Sequence, residues 1–301
     1  MQVQHWIHAF RLRTLPLALS SIAMGAFLAA FYNVLKWDIS LLAALTTVFL
    51  QVLSNLANDY GDALKGTDNQ HRVGPERAVQ SGKISVMHMR RAIIVFSALS
   101  LISGIVLISH GLRGLDARVS LLFLILGLSA IASAILYTVG KKAYGYSGLG
   151  DLFVFLFFGL LAVIGTFFLN AQFLRWDIWL PAASLGFLST GVLNLNNLRD
   201  IHNDRNSGKN TIAVRLGIES TKIYHFFLIG LGLFSALTFN LLNLKSWIAL
   251  LWLIPIVPLF IIDLIKIMEI KDLKLLDPYL KKLALKTLLF VLLFGICLVW
   301  S

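Results

Sequence analysis

The fold is decided by residues 41–62, which read LLAALTTVFLQVLSNLANDYGD. The first part of this stretch, 41–58, contains no charged residue, and as a helix it would extend about 27 Å, close to the roughly 30 Å hydrocarbon core of a bilayer. Asparagine and aspartate side chains gather at its end, where such a helix would meet water. The stretch therefore predicts a membrane-spanning helix with a polar cluster at one end.

The apolar pattern recurs along the whole chain. Hydrophobic residues make up 58 % of the sequence and charged residues only 14 %, whereas a soluble domain carries about 25 % charged residues. Lipid offers no partners to backbone polar groups, so the apolar stretches are expected to be helices. We predict an all-α, polytopic membrane protein in which one domain over residues 1–301 contains nine transmembrane helices. The predicted spans are 15–31, 41–58, 92–109, 119–138, 148–169, 177–197, 223–242, 247–265 and 283–300.

The positive charge of the chain is distributed unevenly among the connections between these spans. The formal net charge is +11, but the basic residues flank apolar stretches, which argues against a nucleic-acid-binding surface. Of the 26 Lys and Arg residues, 20 precede the first span or lie in even-numbered connections, and Lys286, near the start of the ninth span, is grouped with the eighth connection, so 21 are assigned to one side. The positive-inside rule then predicts a multi-pass protein of the cell membrane, the inner membrane in bacteria, with a cytoplasmic N-terminus and an external C-terminus. The odd-numbered connections hold only Lys36, Arg113, Arg118, Arg175 and Lys245.

The first of two polar clusters lies at the cytoplasmic end of the second span. Asn55, Asn58, Asp59 and Asp62 are spaced i, i+3, i+4 and i+7, which places them on one face of a helix. Asp68 follows a few residues later, in the long connection that begins here.

The second cluster lies at the cytoplasmic end of the sixth span. Asn196, Asp200 and Asp204 are spaced i, i+4 and i+8, and Asn197 adjoins them. Crowded carboxylates near a membrane repel one another and are costly to desolvate, and a divalent cation relieves both penalties. Mg²⁺ prefers oxygen ligands and is commonly shared with substrate phosphates. We therefore predict that Asp59, Asp62, Asp200 and Asp204 hold Mg²⁺ on a diphosphate, with Asp68 as a candidate fifth ligand.

Two other interpretations of these clusters remain open at this stage. Asn and Asp commonly cap helices and form turns, although two striped clusters on one side of a membrane are unusual for caps. Carboxylates inside membranes also mark the ion paths of ion-coupled transporters. A covalent product formed in detergent, where no gradient exists, would distinguish an enzyme from a transporter.

Several other polar residues are candidates for substrate contacts. Tyr137 and Lys141, at i and i+4, are expected at the end of the fourth helix, where both could reach a phosphate. Asp151 is a lone acid at the start of the fifth helix and would either meet the hydroxyls of an acceptor or cap the helix. The basic candidates for neutralising a diphosphate are Arg72, Arg77, Arg199 and Lys209.

These motifs resemble those of the UbiA superfamily of intramembrane aromatic prenyltransferases, and the resemblance extends over essentially the whole chain. Its NDxxD motif is matched by Asn58, Asp59 and Asp62, its DxxxD motif by Asp200 and Asp204, and its YxxxK motif by Tyr137 and Lys141. The runs 58–68 and 196–217 are most similar to the members that act on 1,4-dihydroxy-2-naphthoate. Many members carry an aspartate four residues after the first motif, where this chain has Gly66.

The resemblance implies both a fold and an activity. The fold would be nine helices around a central cavity that opens to lipid, capped by the two long cytoplasmic connections. The activity would be ionisation of a polyprenyl diphosphate with Mg²⁺, attack by a ring carbon of dihydroxynaphthoate, and loss of carbon dioxide to give demethylmenaquinol for menaquinone biosynthesis. Members acting on 4-hydroxybenzoate share the metal motifs, so that acceptor, used in the ubiquinone pathway, remains an alternative, and the prenyl chain length is open.

Overall fold

The structure is a computed structural model that describes residues 3–67, 74 and 76–301, and within those ranges the regular secondary structure is entirely helical. Four short 3₁₀ segments join or precede the longer helices. The helices are α1 Val3–Phe10, α2 Leu15–Phe31, α3 Trp37–Leu64, α4 Val86–Gly111, α5 Ala117–Leu136, α6 Gly150–Ala171, α7 Trp179–Arg199, α8 Ile201–Asn206, α9 Ile212–Leu216, α10 Ile218–Leu242, α11 Leu253–Glu269 and α12 Asp277–Val299.

In the described part of the chain, eight segments are long and apolar enough to cross a membrane, so the predicted number of nine is not confirmed by this criterion. The remaining predicted span corresponds to α7, which has 21 residues but is less apolar because serine, threonine and asparagine interrupt it. Buried positions along α7 include Leu185, Leu188 and Leu195. A helix enclosed by other helices can direct polar side chains inward, and this lowers its overall hydropathy.

The helix boundaries follow local sequence signals. Helix α2 begins at Leu15, as predicted, with Pro16 in its first turn, where its missing N–H costs nothing. Helix α3 continues past the apolar stretch to Leu64, so Asp59 and Asp62 lie on the helix itself. The predicted placement of the first polar cluster on a helix is therefore confirmed.

Helix α7 packs unusually closely against α6. A Cβ atom on Gly186 would lie 2.6 Å from the ring of Phe155, and one on Gly159 would lie 2.5 Å from the Cα of Gly186. Helix α6 widens into a π-helical segment at Phe155–Leu161, beside this contact. The two backbones therefore meet directly, and this fixes the start of α6, with Asp151, relative to the polar end of α7.

Lys286 lies where the sequence analysis did not place it. The charge pattern grouped it with the cytoplasmic basic residues, but it lies inside α12 and forms an ion pair between helices. Its ammonium donates to Asp263 Oδ2 on α11 at 2.6 Å and to the Leu259 carbonyl at 2.7 Å. The earlier assignment is wrong because an amine within a span can be neutralised by a facing carboxylate instead of reaching water.

Replacing Lys286 with Met is expected to destabilise the protein by about 2–4 kcal/mol, because it leaves a mostly buried carboxylate without its partner. Thermal unfolding in detergent would measure the loss. The double variant Lys286→Met, Asp263→Leu should recover much of it, since both charges are gone. A double variant as unstable as the single one would contradict this account of the pair.

Candidate active site

Three segments that follow α3, α5 and α7 meet at the C-terminal end of α3, and Tyr146 joins them. Its hydroxyl donates to Asp62 Oδ1 at 2.9 Å and also contacts the hydroxyl of Thr67. The side chain of Asn203 on α8 donates to the Thr67 carbonyl at 2.9 Å, and the Asn210 amide donates to the Tyr146 carbonyl at 3.1 Å. The ends of the two Asn/Asp-rich segments are thus held together by a tyrosine that the sequence analysis did not single out.

A buried group of four charges, which we call the charge centre, lies at this junction. It consists of Asp62, Asp204, Arg77 and Lys209, which are only 4, 3, 7 and 7 % exposed. Arg77 Nη2 is 3.6 Å from Asp62 Oδ2, and Lys209 Nζ is 3.8 Å from Asp204 Oδ1. Burial alone would lower the pKa of Lys209, but the facing carboxylates of Asp62 and Asp204 raise it above its usual value. The two acids and two cations balance one another.

The other residues of the first cluster have different partners. Asp59 is almost fully buried and accepts the backbone amides of Ala78 and Val79 at 3.0 and 3.2 Å. Asn55 donates to the Phe10 carbonyl at 2.9 Å and to Thr14 at 3.0 Å. Asp59 therefore anchors the first long connection, and Asn55 anchors the N-terminal segment.

Asn58 connects the first cluster to the end of α5. Its side-chain oxygen accepts the hydroxyl of the fully buried Thr138 at 3.3 Å, and the same hydroxyl donates to the Ala57 carbonyl at 2.9 Å. These bonds fix α3 against the segment that follows α5.

Asp200 is bound by the neighbouring Arg199 rather than by the charge centre. Arg199 Nε donates to Asp200 Oδ1 at 3.0 Å and its Nη2 donates to Oδ2 at 2.6 Å, a bidentate pair. The same guanidinium reaches Asn196 Oδ1 at 2.9 Å and Asp277 at the start of α12. Arg199 therefore ties the end of α7 to α12, a role that the sequence did not reveal.

The predicted helical pairing of Tyr137 with Lys141 is wrong. Helix α5 ends at Leu136, the chain turns through Gly140 with a φ of +97°, and Lys141 is exposed. Tyr137 stays inside, where a Cβ on Gly150 would lie 3.1 Å from its ring. Burial raises the pKa of Tyr137 to about 12, so its hydroxyl remains protonated and can donate a hydrogen bond.

Asp151 and two asparagines of α7 are further buried polar groups. Asp151 Oδ2 accepts the hydroxyl of Tyr224 at 3.1 Å. The side-chain oxygens of Asn194 and Asn197 are buried and accept no hydrogen bond from the residues that the structure describes. Buried acceptors are normally satisfied, so these two are suited to an added partner. Asn194 was missed in the sequence, although its i, i+3 spacing from Asn197 was a usable signal.

Comparison with known proteins identifies the family. The model of the UbiA prenyltransferase family matches residues 18–285. This chain is a member of the UbiA prenyltransferase family. It is 43 % identical to 1,4-dihydroxy-2-naphthoate octaprenyltransferase of Escherichia coli (strain K12) over 97 % of the chain and 94 % of that enzyme. The enzyme of the same name from Haemophilus influenzae is 40 % identical over 98 % and 96 % of the two chains.

Solved structures of UbiA homologues share the fold. A homologue from Archaeoglobus fulgidus bound to GPP and Mg²⁺ superposes with a TM-score of 0.62, at 16 % identity, over 97 % of this chain and all of the other. The apo structure of a homologue from Aeropyrum pernix K1 has a TM-score of 0.65 at 15 % identity, over 94 % and 96 % of the chains. The multi-pass helical architecture of this UbiA protein is therefore that of its family.

The residues of this UbiA protein fit Mg²⁺ by the chemistry of their donor atoms. Among the described residues, no three His, Cys, Asp or Glu side chains are grouped as a metal site. The oxygen donors that the structure offers are the Asp62 and Asp204 carboxylates of the charge centre and, on α7, the buried amide oxygens of Asn194 and Asn197. A set made only of oxygen atoms suits Mg²⁺ rather than a softer metal. Asp68 and Arg72 lie outside the described residues, so their predicted roles stay predictions.

Gly61, within the first motif of this UbiA protein, provides a sensitive test of the site's geometry. A Cβ there would lie 2.6 Å from Thr138 Oγ1 and 2.7 Å from the Thr138 carbonyl carbon, so Gly61→Ala must push α3 away from the end of α5. We expect prenyl transfer to fall at least about tenfold, because Asp62 on the adjacent position moves with the helix. Gly127→Ala on α5, where a Cβ meets nothing within 4 Å, is the control and should be fully active. Equal activity of the two variants would contradict this role for Gly61.

Proposed function

We propose that this protein transfers a polyprenyl group from polyprenyl diphosphate to 1,4-dihydroxy-2-naphthoate with loss of carbon dioxide, giving demethylmenaquinol for menaquinone biosynthesis. The observation that carries the proposal is the 43 % identity, over nearly the full length of both chains, to an enzyme named for that acceptor. The charge centre supports it, because a diphosphate leaving group needs a cluster of cations and metal-binding oxygens.

The donor half of the reaction is assigned to the charge centre. Asp62 and Asp204 would hold Mg²⁺, together with the amide oxygens of Asn194 and Asn197. When bound, Mg²⁺ supplies charge neutralisation for the departing diphosphate. Arg77 and Lys209 supply further positive charge, which is worth more in a buried site than in water.

Residues around the charge centre would donate to the diphosphate or position other groups. The protonated hydroxyl of Tyr137 is suited to donate to a diphosphate oxygen. Asp59 and the Arg199–Asp200 pair would act as positioning residues, because their side chains already hold neighbouring segments. Lys141 is left out of the site because its side chain is exposed on a turn.

Prenyl transfer replaces the allylic C–O bond of the donor with a C–C bond to the acceptor. The allylic C–O bond breaks and the diphosphate takes its electron pair. The ring carbon that bears the carboxylate then attacks the allylic cation, and its bond to the carboxylate breaks so that the electrons restore the aromatic ring and carbon dioxide leaves. Stacked rings of Tyr144 and Phe153, with centroids 4.0 Å apart, lie beside Tyr137 and would exclude water from the cation.

The acceptor half is assigned to Asp151. Its Oδ2 accepts the Tyr224 hydroxyl, which orients the carboxylate and leaves Oδ1 for a hydroxyl of the naphthoate ring. By accepting a hydrogen bond from a ring hydroxyl, the Asp151 carboxylate would favour binding of a hydroxylated, electron-rich acceptor.

The proposal is tested by offering purified protein in detergent a panel of acceptors with one prenyl diphosphate and Mg²⁺. We expect prenylated product from 1,4-dihydroxy-2-naphthoate and little from 4-hydroxybenzoate, measured by mass spectrometry. Chelation should abolish the reaction and added Mg²⁺ should restore it. Exclusive use of 4-hydroxybenzoate would overturn the acceptor assignment, and prenyl diphosphates of several lengths in the same assay define the donor.

We further propose that the N-terminus faces the cytoplasm of a bacterial cell and that the C-terminus lies outside. The charge asymmetry among the connections supports this orientation. The end of α3, α8 and the turn at Tyr144–Ser147 would then lie on the cytoplasmic side. A reporter fused after Ser301 should be active only outside, and a cytoplasmic signal would contradict the orientation.

A further inference from the structure

The buried ammonium of Lys209 interacts electrostatically with the last aspartate of each motif, Asp62 and Asp204. Lys209 Nζ is 3.8 Å from Asp204 Oδ1 of the second motif and 5.5 Å from the ring centroid of Tyr146, whose hydroxyl is bonded to Asp62 of the first motif. Asp62 and Asp204 together stabilise the charged form of this lysine despite its burial. Lys209 therefore lies in the electrostatic field of the two carboxylates to which the proposed function assigns Mg²⁺.

The backbone around Lys209 fixes this position. Gly208, with a φ of +71°, reverses the chain after α8, and the Lys209 amide then donates to the Asp204 carbonyl at 2.8 Å. On the other side, the Asn210 amide donates to the Tyr146 carbonyl, and the hydroxyl of Thr211 caps α9. The backbone of Lys209 is thus fixed on both sides, and its buried side chain is unlike that of a freely moving surface lysine.

Mg²⁺ and the ammonium of Lys209 cannot both bind the carboxylates of Asp62 and Asp204 without strong electrostatic repulsion between them. Two positive groups within a few ångströms in a poorly solvated site repel strongly. A diphosphate would relieve the conflict, because its negative oxygens give the displaced ammonium a new partner.

We propose that Lys209 is an internal counter-ion that neutralises Asp62 and Asp204 until Mg²⁺ arrives with the diphosphate, and that Mg²⁺ binding requires its ammonium to leave the carboxylates. This inference rests on the proposed function, in which those carboxylates hold the metal. It follows that Mg²⁺ alone binds weakly and that Mg²⁺ with diphosphate binds strongly. The site therefore assembles only around the complete substrate.

A lysine that serves only as a diphosphate ligand behaves differently. Removing such a ligand weakens diphosphate binding and leaves the affinity for Mg²⁺ alone unchanged. Removing a counter-ion tightens the binding of Mg²⁺ alone, because two carboxylates lose their positive neighbour. The sign of the change in Mg²⁺ affinity separates the two roles.

The experiment measures Mg²⁺ binding to the purified full-length protein by calorimetry, without diphosphate. For Lys209→Met we expect binding about tenfold tighter than for the wild type, since a neighbouring charge of this kind is worth at least about one pKa unit. Lys209→Arg keeps the charge and should bind as the wild type does. Lys65→Met is the matched control: Lys65 Nζ lies 3.9 Å from the centroid of the same Tyr146 ring but is exposed, so screening should keep its effect within about twofold. Equal or weaker Mg²⁺ binding by Lys209→Met would overturn the proposal.

A second measurement uses the wild type and decides the question even where Lys209→Met does not fold. An amine-reactive label followed by mass spectrometry reports the access of reagent to each lysine. We expect labelling of Lys209 to rise when Mg²⁺ saturates the protein, and labelling of Lys65 to stay constant. Unchanged labelling of Lys209 would overturn the proposal.

The two hypotheses can fail separately. A wild type that transfers prenyl groups and binds Mg²⁺, combined with no tightening in Lys209→Met, would reject the counter-ion alone. Tightening in Lys209→Met, together with no prenyl transfer by the wild type to any acceptor, would reject the proposed function and retain the counter-ion.

Discussion

Replacing Asp62 with Asn is expected to lower prenyl transfer by about a thousandfold while the protein remains folded. The carboxylate of Asp62 accepts the Tyr146 hydroxyl, faces Arg77 at 3.6 Å and stabilises the charge of Lys209. An amide of the same size can neither balance these cations nor provide a charged ligand to Mg²⁺. The initial rate with saturating substrates, measured on purified protein at a temperature well below its own unfolding transition, would show the loss.

The control for Asp62→Asn is the same substitution at the other end of the same helix. Asp38, in the first turn of α3, is exposed and pairs with His110. Asp38→Asn should leave activity unchanged, because exposed pairs contribute little. Asp62→Asn retaining more than about a tenth of wild-type activity would remove Asp62 from the metal site.

Replacing Arg199 with Met is expected to have the second large effect, on folding and activity together. Arg199 is buried, binds both oxygens of Asp200 and also reaches Asn196 and Asp277. Its loss leaves the buried carboxylate of Asp200 unpaired, which typically costs about 3–5 kcal/mol. We expect thermal unfolding in detergent to shift down by several degrees or more, and prenyl transfer to fall as α7 loses its link to α12.

The control for Arg199→Met is an exposed pair. Lys83 contacts Glu76, and both side chains are about half exposed, so Lys83→Met should barely change unfolding. The double variant Arg199→Met, Asp200→Asn should recover part of the stability because the unpaired charge is removed. If Arg199→Met unfolds at the same temperature as Lys83→Met, the link between α7 and α12 is not stabilising.

The transmembrane helices could largely be predicted because lipid imposes a simple requirement on sequence. Long runs without charge must be helical in a membrane, and α2 begins and ends at the predicted residues. Hydropathy and charge are less informative for segments that contact other helices instead of lipid. Helix α7 lies within two residues of the predicted span 177–197, but it packs against other helices and its polar residues lower its hydropathy. Lys286 was misplaced for a related reason, since its partner Asp263 lies on another helix.

The candidate site could be predicted only in part, because spacing along a helix specifies a face but not a partner. Asp59 and Asp62 share the predicted face of α3, yet Asp59 binds two backbone amides and Asp62 joins the charge centre. Contacts between distant residues leave no local signal: Arg199 binds Asp277 across 78 positions, and Tyr146 bonds Asp62 across 84. The pairing of Tyr137 with Lys141 failed because α5 ends one residue before the tyrosine.

Under the proposed function, this UbiA protein replaces the carboxylate of 1,4-dihydroxy-2-naphthoate with a prenyl group. The most direct test gives purified protein carboxyl-labelled dihydroxynaphthoate, polyprenyl diphosphate and Mg²⁺, and counts released label against prenylated product. We expect one molecule of labelled carbon dioxide for each prenyl group transferred. Prenylated product that keeps the label, or label released without prenyl transfer, would contradict it.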